Sequence, residues 1–128
     1  MMESDSNLNL ARRRRILLGI LTLLWLSAGI VEGIRPSPEA ALRDALFALA
    51  HAWLLEMWCS ADAALRGRPL GHAWRWMIFL FWFAAVPAYL VWSRGLKGVL
   101  TTIGLAALLL GCLSAGVFVG DLVRLTSG

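Results

Sequence analysis

The chain predicts an all-α fold, a transmembrane four-helix bundle of antiparallel up-down topology. Three observations predict it. Of 128 residues, 59% are hydrophobic and only 16% charged, too little polar surface to cover a water-soluble domain of this size. The apolar residues gather into four runs, each near the ~20 residues a helix needs to cross a hydrocarbon core. Between the runs lie Gly, Pro and basic residues, where a chain turns. The whole reads as a single membrane domain, with a tail over residues 1–13 and helices over residues 14–34, 38–65, 73–92 and 97–123.

The tail is polar and unpatterned, so a disordered cytoplasmic segment is expected there. Arg12, Arg13, Arg14 and Arg15 follow, and residues 16–34 are almost entirely apolar. A basic stretch before such a run also opens a signal peptide, with Ser27, Ala28 and Gly29 as a cleavage site. The run continues past those small residues to spanning length, so it reads as an uncleaved first helix.

Ser37, Pro38 and Glu39 predict the start of the second helix: a hydroxyl cap, a proline at the first helical position and an acid near the positive end of the dipole. A helix over residues 38–65 is roughly 40 Å long, so its ends protrude from a core of ~30 Å. Asp44 and Asp62 then fall near the two interfaces, and His51 and Glu56 remain deep. Arg66, Gly67, Arg68, Pro69, Leu70, Gly71 and His72 turn the chain.

The third run has Trp74 and Trp76 at one end and Tyr89 and Trp92 at the other, amphipathic rings placed to anchor at headgroups. Pro87 lacks an amide hydrogen and crowds the carbonyl of Phe83, which predicts a kink. Ser93, Arg94, Gly95, Leu96, Lys97 and Gly98 make a tight turn into a fourth helix rich in small residues. Ala107, Gly111 and Ala115 recur every four positions there, and Gly116 and Gly120 form a second pair. Small residues let helix backbones approach in lipid, so these positions predict packing within the bundle, onto another membrane subunit or onto a second copy.

Of the 12 Lys and Arg, four precede the first helix, two fall in the first connection, three in the second, two in the third and one at the end. Positive charge is retained in the cytoplasm, so both termini are expected there, with Arg94 and Lys97 on the outer side against the rule. The net charge of +4 does not point to nucleic acid, because the cations cluster beside apolar runs instead of lining one face. Cys59 and Cys112 lie within apolar runs and read as buried thiols.

The residues Arg66, Gly67, Arg68 and Pro69, followed by Pro87, Tyr89, Leu90, Arg94, Gly95, Lys97 and Gly98, form an R-G-K/R-P turn and a P-x-Y-L-x-x-x-R-G-x-K-G motif. The pattern covers about a third of the chain and resembles small uncharacterised bacterial four-pass inner-membrane proteins. Ala88 stands where that pattern usually has a tyrosine. The resemblance implies a multi-pass protein of the bacterial cytoplasmic membrane and carries no activity with it.

Two ionisable residues in one apolar span are the chemistry this chain offers. His51 and Glu56 are five positions apart, about 140° around a helix, and cannot pair with each other. With the first two helices antiparallel and centred near Trp25 and Trp53, His51 is level with Ser27 and Glu56 with Thr22. Such interhelical hydrogen bonds are worth roughly 0.6–2 kcal/mol. No Lys or Arg is expected at the depth of Glu56, which leaves its carboxyl to keep a proton.

These four residues are the candidate intramembrane polar site, read either as glue between helices or as the lining of a proton, ion or ligand path. Haem would need two axial histidines at one depth, and His72 lies in a connection; only His51 from each of two copies could serve. No Cys or His pair has metal-ligand spacing, and no hydrolase or phosphate-loop motif occurs, so no catalytic residue, metal or cofactor is assigned. The expected role is a non-enzymatic accessory or scaffolding subunit whose partners are the bilayer, other membrane subunits or itself. The alternative is a small transporter or proton-linked carrier using Glu56 and His51.

Overall fold

A computed structural model of the chain describes residues 2–34 and 41–128. It is all-helical, with α1 over Met2–Ile34, α2 over Ala41–Leu65, α3 over His72–Leu80, α4 over Trp82–Arg94 and α5 over Leu96–Ser127. Helices α1 and α5 are long and apolar enough to cross a membrane by length and composition. The expected helix start at Ser37, Pro38 and Glu39 lies outside the described residues. Helix α1 begins at Met2, so the segment expected to be a disordered tail continues the first helix outward. Its residues there are almost all exposed.

Helix α2 carries the most buried face, including His51, Leu55, Glu56, Cys59 and Asp62, and packs on α1, α3 and α4. Helix α1 runs antiparallel to it, which brings Trp25 to His51 and Arg14 to Asp62. Both pairs are separated by eleven residues along their helices, about 16 Å of rise, so the register is the same at both levels.

The third run is not one helix. It breaks at Phe81, whose φ of −127° and ψ of 41° are not helical, and the chain folds back on itself there. Three contacts show the reversal. Arg75 of α3 reaches Glu56, Trp82 at the tip packs on His51 with ring centroids 4.4 Å apart, and Arg94 at the end of α4 reaches Asp62. Trp74 and Trp92 stack at 6.0 Å, although eighteen residues of unbroken helix would hold them about 27 Å apart. Helices α3 and α4 therefore form a hairpin that climbs to the level of His51 and returns to the end where it began. The reversal precedes Pro87 by six residues, and α4 continues through that proline.

The hairpin changes the topology from the one expected. With the third run returning to its own side, α5 starts at the Asp62 end and runs parallel to α1, where an up-down bundle would make these two antiparallel. The two termini consequently lie at opposite ends of the molecule instead of together. Gly95, at φ 60°, makes the turn from α4 to α5.

Parallel α1 and α5 share the broadest helix contact, a seam of glycines. Gly29 faces Gly116 and Gly33 faces Gly120. A methyl group on Gly120 would sit 2.9 Å from the Gly33 Cα, and one on Gly33 would sit 2.5 Å from the Val117 carbonyl. The backbones touch, and no side chain fits between them.

Candidate functional site

Three buried or half-buried clusters sit along α2, and one ion pair lies on the surface at its far end. At mid-length, His51 is 1% exposed. Its Nδ1 accepts a hydrogen bond from Trp25 Nε1 at 2.9 Å, so the ring hydrogen is on Nε2, which has no partner. Phe47 stacks on one side of the imidazole at 6.0 Å, and Trp82 stands perpendicular to it. The partner expected from depth, Ser27, instead donates to its own Leu24 carbonyl at 2.8 Å. The register sets Trp25, two residues earlier, opposite the histidine, and the indole is the longer donor.

Glu56, one and a half turns further along α2, opens on a different side. Its Oε1 accepts from Arg75 Nε at 2.5 Å and from Ser60 Oγ at 2.9 Å. The expectation that no cation lies at this depth is overturned. Helix α3 starts at His72 and runs antiparallel beside α2, which brings Arg75 to Glu56 before the chain reaches the break at Phe81. Thr22, the partner expected for Glu56, donates to the Gly19 carbonyl at 2.8 Å. The pair floors a groove of about 430 Å³ walled by Trp53, His72, Trp76 and Phe79. His51 and Glu56 do not share a cavity.

The most connected group is one the sequence reading had set at an interface. Asp62 is fully buried, and its two oxygens gather the ends of three elements. Oδ1 accepts from Arg14 and Arg94, each at 2.7 Å, and Oδ2 accepts from Arg66 at 3.2 Å and from the Tyr89 hydroxyl at 3.0 Å. The four-residue step from Asp62 to Arg66 was legible as a helical ion pair. Arg14 follows from the antiparallel register of α1 on α2, and Arg94 from the return of α4, which the sequence did not show.

A carboxylate this deep would be costly alone, and here every lone-pair direction is used. Arg14 and Arg66 keep over a third of their side chains in contact with solvent, so their stems pack while their heads stay wet. Cys59, a turn before Asp62, is a buried free thiol; Cys112 on α5 is half-buried.

At the far end, α1 and α2 are joined on the surface by Glu32 and Arg43 at 2.6 Å. A groove of about 530 Å³ below this pair is lined chiefly by α1 and α2, with Ser27 and Ala50 on its walls.

The small residues of α5 divide into two sets. Gly116 and Gly120 are buried against α1, whereas Ala107, Gly111 and Ala115 point outward, and a methyl group added at Gly111 would meet nothing within 4 Å. Among the described residues no three His, Cys, Asp or Glu side chains converge as metal ligands do. Comparison with protein-family models, with curated proteins and with solved structures returns no match for this chain.

Proposed function

We propose that the chain is an integral membrane protein with three full crossings, α1, α2 and α5, and a half-depth hairpin, α3 with α4. It acts as a non-enzymatic accessory or scaffolding subunit of the bacterial cytoplasmic membrane. The observation that carries this reading is an inverted distribution of polarity. His51, Glu56 and Asp62 are buried, while Leu23, Trp53, Phe83, Leu100 and Phe118 are each more than 60% exposed. Water would leave such an exterior unsatisfied, and acyl chains would not.

The hairpin also removes the conflict in the charge pattern. Among the described residues, Arg12, Arg13, Arg14, Arg15, Arg66, Arg68, Arg94 and Lys97 belong to the Asp62 end, against Arg43 and Arg124 at the other, with Arg75 between them at Glu56. Placed by the retention of positive charge, the N-terminus is cytoplasmic and the C-terminus is not. A reporter enzyme that is active only outside the cytoplasm should therefore be active when fused after Gly128 and silent when fused before Met1. Equal behaviour of the two fusions would reject this topology.

The accessory role is supported by where charge is spent. Glu56 is held by Arg75, Asp62 by three arginines, and His51 is enclosed by Trp25, Phe47 and Trp82, so the groups a carrier would use are engaged within the chain. What remains for association is the outward stripe of Ala107, Gly111 and Ala115, on another subunit or a second copy. Gentle detergent extraction should retain a partner or a dimer with the native chain and lose it with Gly111→Leu. Loss of pH-dependent flux in proteoliposomes on Glu56→Gln, with association unaffected, would favour the carrier instead.

A further inference from the structure

The Asp62 cluster is unbalanced. One carboxylate faces Arg14, Arg66 and Arg94, and Arg94 Nε is buried without a partner. Just beyond it, Arg68 pairs with no carboxylate among the described residues. Gly67, at φ 67°, bends the connection after α2 so that Arg66 and Arg68 border the same cavity. That cavity holds about 300 Å³ and is closed by Ala63 of α2 and by Tyr89, Trp92 and Ser93 of α4. Arg66 uses only Nε toward Asp62, so its two terminal nitrogens remain as donors.

We propose that this cavity binds the phosphate of an anionic phospholipid from the leaflet at the basic end. The proposal rests on the chain lying in a bilayer as read above. Two guanidinium groups at one rim of a small cavity match the oxygens of a phosphate, and the surplus positive charge behind them favours an anion over a zwitterion. Trp92 argues for a lipid over a free ion. Its indole forms one wall, is 58% exposed, and sits where α2 and α4 end together, the depth of a headgroup with its acyl chains descending beside the ring. A volume at the low end of the ~300–1,000 Å³ of small-molecule sites fits a headgroup and excludes a whole lipid.

The test uses the full chain in mild detergent micelles, titrated with phosphatidylglycerol, with phosphatidylcholine of the same acyl chains, and with inorganic phosphate. Binding is read from tryptophan fluorescence and from the shift in unfolding temperature. Phosphatidylglycerol should raise the unfolding temperature by several degrees, and the other two should not. Arg68→Gln should weaken its binding about tenfold, the loss of one charge-assisted contact, and should leave the ligand-free melting curve in place because Arg68 is exposed and unpaired. Arg124→Gln, at the opposite end, should bind as the native chain does.

An equal response to phosphatidylcholine overturns the proposal, as does full binding by Arg68→Gln. A response to inorganic phosphate as strong as to the lipid overturns the lipid as its source. Carbonate extraction of cell membranes, run alongside, reports on the bilayer reading by itself. A chain released by carbonate removes that reading, whereas a chain retained by carbonate but indifferent to phosphatidylglycerol removes only this site.

Discussion

At one end of the bundle α1, α2 and α4 meet on the carboxylate of Asp62, while along the seam between α1 and α5 two helices meet on four glycines with no side chain between them. The first contact is long-armed. Arginine stems bridge several ångströms and tolerate small shifts. The second is short-armed and has no room for added volume, because carbonyl and Cα atoms are already at contact. Helix association in an apolar medium lacks a hydrophobic drive, and under the membrane reading proposed above charge and backbone contact are the two substitutes for it.

The two regions should therefore fail in different ways. The largest effect is expected for Asp62→Asn, which leaves three guanidinium groups around a neutral amide. Breaking a buried pair costs roughly 3–5 kcal/mol, and the wet heads of Arg14 and Arg66 place this one at the lower bound. Denaturant unfolding in detergent, repeated at high salt, would measure it. A stability unchanged from the native chain would show that the cluster is not what ties the ends together.

A smaller loss, about 1–3 kcal/mol, is expected for Gly116→Ala, where the added methyl meets the Gly29 Cα at 3.0 Å. It should be insensitive to salt, and Gly111→Ala on the open face of the same helix should fall within about 0.5 kcal/mol of native. Similar losses at the two positions would mean that volume does not distinguish the seam. The smallest effect is expected for Glu56→Gln. Arg75 is half exposed, so the pair contributes under about 1 kcal/mol, and the same unfolding curve should barely move.

Much of this arrangement was legible in the residues, and the part that was not has one origin. The apolar runs marked the helices, and the second run stood out by its ionisable groups, which lie on the face of α2 buried against α1, α3 and α4, while α5 packs on α1 and α4 instead. Of the small residues on the last helix, Gly116 and Gly120 turn inward and Ala107, Gly111 and Ala115 outward; four-residue spacing identifies a face without naming its partner. The fold-back at Phe81 left no local mark. It lies in an aromatic run, Phe79 to Phe83 by way of Leu80 and Trp82, with no glycine, while Pro87, the residue that breaks helices by its chemistry, sits inside one.

A non-local signal was present. Arg94 and Lys97 stood against the charge rule with the third run straight, and the fold-back instead brings Arg94 to the Asp62 end beside Arg14 and Arg66. The same misplacement hid one partner of Asp62. Arg94 reaches it only because α4 returns beside α2, and depth arithmetic on a straight third helix cannot deliver that.

The glycine seam joins two helices that lie far apart along the chain. Gly29 and Gly33 find Gly116 and Gly120 across about sixty residues that separate α1 from α5. Closure is thus a long-range event, slow by the standards of neighbouring hairpins. Every member of the ion cluster precedes Gly116, so the cluster and the seam draw on separate stretches of chain, and a chain cut before Gly116 keeps all the residues of the one and leaves the backbone cleft of the other unfilled.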